Sequence, residues 1–267
     1  MPFREDVFLS FLSLSTSAAA SCCLLLRSLH LPFPLHLLFS LFPPQFLVPF
    51  LFPYTHLSSS LFPFLMASLS DFVDFSQPSL QWAALSIAFN PIFWNIVARA
   101  EYRSHFLTRI FGNAYYGCYF LAVTIFSLGI LRDHVYQVAL EDQPYYAPVH
   151  QPVLGGLLFA FGSVLVLSSM YALGVTGTYL GDYFGILMDA PVTGFPFNVT
   201  GSPMYWGSTL NFLGVALYKG KVAGVFLTAE VFILYWFALQ WEDPFTAEIY
   251  AKRERERAKS KSGGKSL

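Results

Sequence analysis

Charge is scarce in this sequence. Only 12% of its 267 residues are Asp, Glu, Lys or Arg, about half the roughly 25% typical of a soluble domain. A chain so poor in polar surface cannot cover itself in water, and with 55% hydrophobic residues it reads as an integral membrane protein. The formal net charge of -1 supplies no basic field for nucleic acid, so no nucleic-acid partner is expected. Cysteine is nearly absent as well. Cys22, Cys23 and Cys118 have neither metal-ligand spacing nor the even-numbered pattern of a secreted disulfide framework, and no disulfide or metal site is predicted.

Aromatic residues are abundant, at 18% with 29 Phe, as expected of lipid-facing and interfacial packing. The first 65 residues differ from the rest. They form a Phe/Leu/Pro/Ser mixture whose charges are Arg4, Glu5, Asp6 and Arg27. Prolines such as Pro34, Pro43, Pro49 and Pro53 break each later apolar run short of the ~20 residues that span a bilayer. Residues 1-65 are therefore read as a low-complexity extension outside the mature protein, with Met66 as the true start. A targeting segment is the alternative reading.

From Met66 the pattern becomes orderly. Leu80 to Ala98 is apolar but interrupted by Asn90-Pro91, which predicts a kinked or re-entrant helix. Three stronger spans follow, Ile110 to Leu131, Val153 to Leu173 and Val222 to Gln240, each near the required length. The expected fold is thus an all-α integral membrane protein with three to four transmembrane helices. A polar loop is predicted over Arg132 to Gln151, and a long Gly-, Pro- and aromatic-rich connection over Gly174 to Lys221. The tail after Tyr250 is basic and ends in a Lys/Ser/Gly stretch that reads as disordered. By the positive-inside rule the tail faces the cytosol. Counting two crossings back puts the Arg132 to Gln151 loop there too, and both ends of Gly174 to Lys221 in the lumen.

Several stretches together resemble a known family: Phe89-Asn90-Pro91-Ile92-Phe93-Trp94-Asn95, Ala172 to Gly185 (with Gly174, Gly177, Gly181 and Asp182), Phe195-Pro196-Phe197-Asn198, Pro203-Met204-Tyr205-Trp206-Gly207-Ser208, and Glu242-Asp243-Pro244-Phe245 through Tyr250. From about Met66 to Tyr250 the chain is similar to phosphatidylethanolamine / phosphatidyl-N-methylethanolamine N-methyltransferases. The resemblance implies a membrane domain over residues 66-250, which leaves 251-267 as the basic tail placed in the cytosol above. It implies S-adenosyl-L-methionine as methyl donor, a phospholipid as acceptor, and the endoplasmic reticulum membrane as location. The expected reaction methylates phosphatidyl-N-methylethanolamine and its dimethyl product to phosphatidylcholine.

The family's donor contacts map onto Ala160-Phe161-Gly162, where Ala160 replaces a Gly, and onto Glu242-Asp243, where Asp243 replaces a Glu. A carboxylate pair suits a donor that is cationic at sulfur, and a general-base role for Glu242 stays open. Each position also has a plainer reading. Gly155, Gly156 and Gly162 suit small-residue helix packing, Gly174 and Gly177 suit a chain reversal, and Tyr205 and Trp206 suit interfacial anchoring or a lining for the methylated headgroup. Glu230, in an otherwise apolar span, is an intramembrane carboxyl without an assigned role. Two other functions compete: an isoprenylcysteine-type carboxyl methyltransferase, and a non-catalytic lipid-binding membrane protein.

Overall fold

The computed structural model describes residues 69–263. The extension read over 1-65, with Cys22 and Cys23, lies outside the described residues. Residues 69–73 close a turn in which the Leu69 carbonyl accepts from the Phe72 and Val73 N–H groups at 3.0 Å each. The helical body begins at Asp74.

Its helices are α1 (Pro78–Ser104), α2 (Phe106–Phe111), α3 (Ala114–Asp142), α4 (Pro152–Thr178), α5 (Pro203–Lys219) and α6 (Val222–Gly263). α1, α4 and α5 each have a proline in their first turn, where the missing N–H has no intrahelical partner to lose and the fixed φ suits a helix. Asn113 caps α3 by accepting from the Tyr115 N–H at 2.8 Å. Four segments are long and apolar enough to cross a membrane: Pro78–Ser104, Ala114–Asp142, Pro152–Phe184 and Val222–Lys259.

Four expectations change. First, α1 continues as one helix through Pro91 and is itself long and apolar enough to span. The Asn95 amide donates to the Pro91 carbonyl at 3.0 Å and the Asn90 amide reaches the Leu128 carbonyl of α3 at 3.2 Å, so neighbouring polar groups support the backbone around the proline. Second, the polar loop shrinks to residues 143–151, because α3 runs on through Arg132, Asp133 and His134 to Asp142. Third, α6 remains helical through the basic tail as far as Gly263, with Arg257 and Glu254 paired at 3.3 Å one turn apart.

The fourth change alters the topology. The Gly174 to Lys221 connection contains α5, which packs antiparallel along α4. A Cβ on Gly155 would meet the Gly214 carbonyl at 2.5 Å, and one on Gly207 would meet the Gly162 carbonyl at 2.6 Å. The backbones touch at both points, seven residues apart on each helix, as in small-residue membrane packing. α5 then returns the chain to the opposite end of the bundle. There the Gln151 N–H donates to the Leu217 carbonyl at 2.9 Å and Lys221 Nζ to the Gln143 carbonyl at 2.6 Å. The Gln143 side chain exchanges two 2.9 Å bonds with the Asp74 backbone at that same end. The 143–151 connection therefore lies at the end opposite the basic tail, not beside it, and residues 179–202 lie at the tail's end. Counting spans by hydropathy alone missed one reversal.

Candidate functional site

The site sits where α1, α5 and α6 meet near the tail end of the bundle. The Glu242 carboxylate, on α6, accepts from Trp94 Nε1 at 2.8 Å and Asn95 Nδ2 at 2.7 Å, both on α1. It also accepts a short hydrogen bond from the Tyr205 hydroxyl of α5. Adjacent positions 94 and 95 both reach it because α1 crosses close to α6 there. Tyr205 reaches it from the first turn of α5, beside the Gly207–Gly162 contact. Three donors from two helices converge on this one carboxylate and fix its position. Asn95 is 5% exposed, and its Oδ1 has no hydrogen-bond partner among the described residues.

Rings surround the carboxylate. Trp94 lies 6.5 Å from Tyr205 and 6.4 Å from Tyr235, and Tyr205 and Tyr235 are 4.8 Å apart in an edge-to-face arrangement. Tyr235, seven residues before Glu242 on α6, occupies the same helix face. Its hydroxyl accepts from Arg132 Nη1 at 2.6 Å. Arg132 also pairs with Asp133 at 2.8 Å and lies 4.9 Å over the Phe212 ring, so its charge is balanced within the bundle.

A second layer braces this end. Gly174 breaks α4 with φ 64° and ψ -177°, a backbone that only glycine adopts cheaply. The turn Gly181–Phe184 then docks on α6, with Tyr183 stacked on Phe245 at 5.1 Å. Cys118 is buried and its Sγ approaches the Tyr179 carbonyl at 3.6 Å. Arg99 donates to the Trp241 carbonyl at 2.6 Å and covers Phe245 at 4.5 Å. Arg253 donates to the Met188 carbonyl at 2.6 Å. Buried Glu101 caps α2, accepting from the Leu107 N–H at 2.7 Å.

Of the residues singled out by sequence, Glu242 is at the centre of the cluster and Asp243 is exposed beside it. Ala160 and Phe161 are exposed on α4, whereas Gly162 is sealed against Gly207 and Asn211 of α5. That triplet and Glu242 are linked through α5, which backs onto Gly162 and holds Glu242 with Tyr205. Trp206 is 46% exposed on the outer side of α5. Sequence reasoning missed Trp94, Asn95, Tyr235 and Arg132 as participants. The signal for the first two was present in the Phe89 to Asn95 motif. No group of three His, Cys, Asp or Glu residues able to hold a metal occurs among the described residues.

The fold and cluster define a class: a multi-pass helical membrane protein with a hydrogen-bonded carboxylate among aromatic rings at one end of its bundle. Comparison with known proteins names the family. The phospholipid methyltransferase model matches residues 150–253. The chain is 89% identical over 200 residues to the phosphatidyl-N-methylethanolamine N-methyltransferase of Emericella nidulans, covering 75% of this chain and 99% of that protein. It is 60% identical over 186 residues to the Saccharomyces cerevisiae protein of that name, covering 68% and 90%. It is 48% identical over 191 residues to phosphatidylethanolamine N-methyltransferase of Homo sapiens, covering 70% and 96%. No solved structure matches significantly. The chain belongs to the phospholipid methyltransferase family.

Proposed function

We propose that this enzyme methylates phosphatidyl-N-methylethanolamine and phosphatidyl-N,N-dimethylethanolamine to phosphatidylcholine, with S-adenosyl-L-methionine as donor. The observation that carries the reading is the Glu242 carboxylate, held in place by hydrogen bonds from Trp94, Asn95 and Tyr205. The names of the relatives supply the acceptor class.

The residues fit a cationic donor. A carboxylate held in place by three hydrogen bonds is a fixed anchor for positive charge. The Asn95 Oδ1, without a partner among the described residues, is an acceptor for an ammonium N–H. Glu242 and Asp243 would hold the donor, which when bound supplies an electrophilic methyl group. Ala160, Phe161 and Gly162 would contribute α4's share, Gly162 through the close approach that carries Tyr205 to Glu242. The acceptor nitrogen must be neutral to attack and loses one proton per methylation. In this reading Glu242 serves binding and alignment, and holding the amine and methyl in line supplies much of the rate.

We assign the Glu242 end of the bundle to the cytosolic face of the endoplasmic reticulum membrane. The basic tail and the 179–202 connection lie at that end, where the donor is available. Residues 66-250 would form the catalytic domain, with 1-65 an extension dispensable for activity. The test supplies labelled S-adenosyl-L-methionine and each of the three amine lipids to membranes containing the full chain. Label in phosphatidylcholine from the monomethyl lipid, lost in Glu242→Ala, supports the reading. No label from any lipid, with inserted protein, defeats it.

A further inference from the structure

On the outer side of the Tyr205–Tyr235 pair, α5 and α6 leave a groove between them. Tyr205, Trp206, Phe232, Tyr235 and Trp236 line it. A neighbouring depression shares Phe232 and Trp236 and reaches Ile233 and Phe237, which extends the apolar lining along α6. Trp206 and Phe232 face each other across the groove at 5.5 Å. The upper end of the groove is different in kind. Its walls there are the two tyrosines whose hydroxyls reach Glu242 and Arg132.

We propose that this groove receives an acyl chain of the phospholipid acceptor and leads its headgroup to the Tyr205–Glu242 pair. The inference rests on the lipid-methyltransferase reading above. Its argument is one of polarity and direction. Along α6 the groove runs from Phe232 toward Leu239, and Glu242 follows. Ten residues of helix separate Phe232 from Glu242, about 15 Å at the usual rise. A phospholipid has the same sequence of properties over the same length scale: hydrocarbon toward the bilayer centre, headgroup at the interface. A lipid entering sideways keeps its chain in apolar surroundings while its amine approaches the carboxylate. Trp206, Phe232 and Trp236 are 46%, 42% and 50% exposed, which leaves their faces free for such a chain. Rings with few rotatable bonds grip an extended chain at low entropic cost.

The experiment has two arms on the full chain in lipid nanodiscs. In the first, a monomethyl phospholipid with a photoactivatable group on one acyl chain is irradiated, and adducts are mapped by mass spectrometry. Adducts concentrated at Trp206, Phe232 or Trp236, and suppressed by unlabelled acceptor, are expected. Adducts spread evenly over the lipid-facing helices, without competition, overturn the groove. In the second, Trp206→Ala/Trp236→Ala is assayed on long-chain and on dihexanoyl monomethyl acceptor. The ratio of kcat/KM for long over short chain is expected to fall about tenfold, as for a loss of binding confined to the chain. An unchanged ratio overturns the groove. An inactive wild type would instead defeat the methyltransferase reading, and the first arm still decides the groove.

Discussion

Glu242 concentrates the chemistry, and its surroundings say what each neighbour should contribute. Glu242→Gln keeps the shape and removes the charge that anchors a cation. Methyl transfer is expected to drop by about 100-fold or more, with the detergent melting temperature nearly unchanged. A hydrogen bond to a charged group is worth about 1.5–3 kcal/mol, so Tyr205→Phe should lower kcat/KM about 10- to 100-fold. Arg132→Met tests the residue behind Tyr235. It leaves the Tyr235 hydroxyl without its 2.6 Å donor, and a loss of about 1–3 kcal/mol of stability is expected from the orphaned group, read by thermal unfolding. Glu242 was legible in the sequence only through the family motif, since an acidic residue at a helix end is ordinarily a solvated boundary. Arg132 was not legible. It lies just past an apolar run and so reads as the first residue of a loop, and only the continuation of α3 turns it toward Tyr235.

Among the elements, α5 decides where the site forms. It was hidden in the sequence because its 17 residues include Gly207, Asn211, Gly214 and Lys219, which dilute the apolar signal below that of a full span. Those same small residues let it lie against α4. Gly207→Ala should force the α4 backbone away, because its Cβ would meet the Gly162 carbonyl at 2.6 Å; an overpacking cost of about 1–3 kcal/mol is expected. Gly156→Ala is the matched control on α4, with nothing among the described residues within 4 Å of the new Cβ. Comparing the two melting temperatures checks this, and equal values would mean that the seam is looser than the geometry states. The tail shows the opposite error. Its Lys/Ser/Gly end reads as disordered, yet α6 reaches Gly263, led into it by Arg and Glu residues that favour helix.

For the helical body as a whole, α5 makes the long traverses odd in number, five between Asp74 and the tail. The four apolar spans were readable from hydropathy; the side of each connection was not, because that needs every reversal counted. The 179–202 and 143–151 connections lie at opposite ends, so their accessibility must differ. With Cys22, Cys23 and Cys118 replaced by Ser, Asn198→Cys and Ala147→Cys should react with an impermeant maleimide from opposite faces of sealed microsomes. Labelling of both from one face would refute the five-helix traverse. The Asn198-Val199-Thr200 acceptor pattern should carry no glycan, since the proposed orientation keeps it in the cytosol, away from the lumenal glycosylation machinery.

The two glycine contacts between α4 and α5 lie two helical turns apart, and two fixed points determine a line. They set both the sliding position and the rotation of α5, as a key is set by two wards in a lock. Between Gly207 and Gly214 the chain has no freedom of length: adding one residue there would turn the first turn of α5 by about 100° and carry Tyr205 off Glu242. Changes of length belong in the 186–202 connection, which joins the two helices without measuring the distance between them.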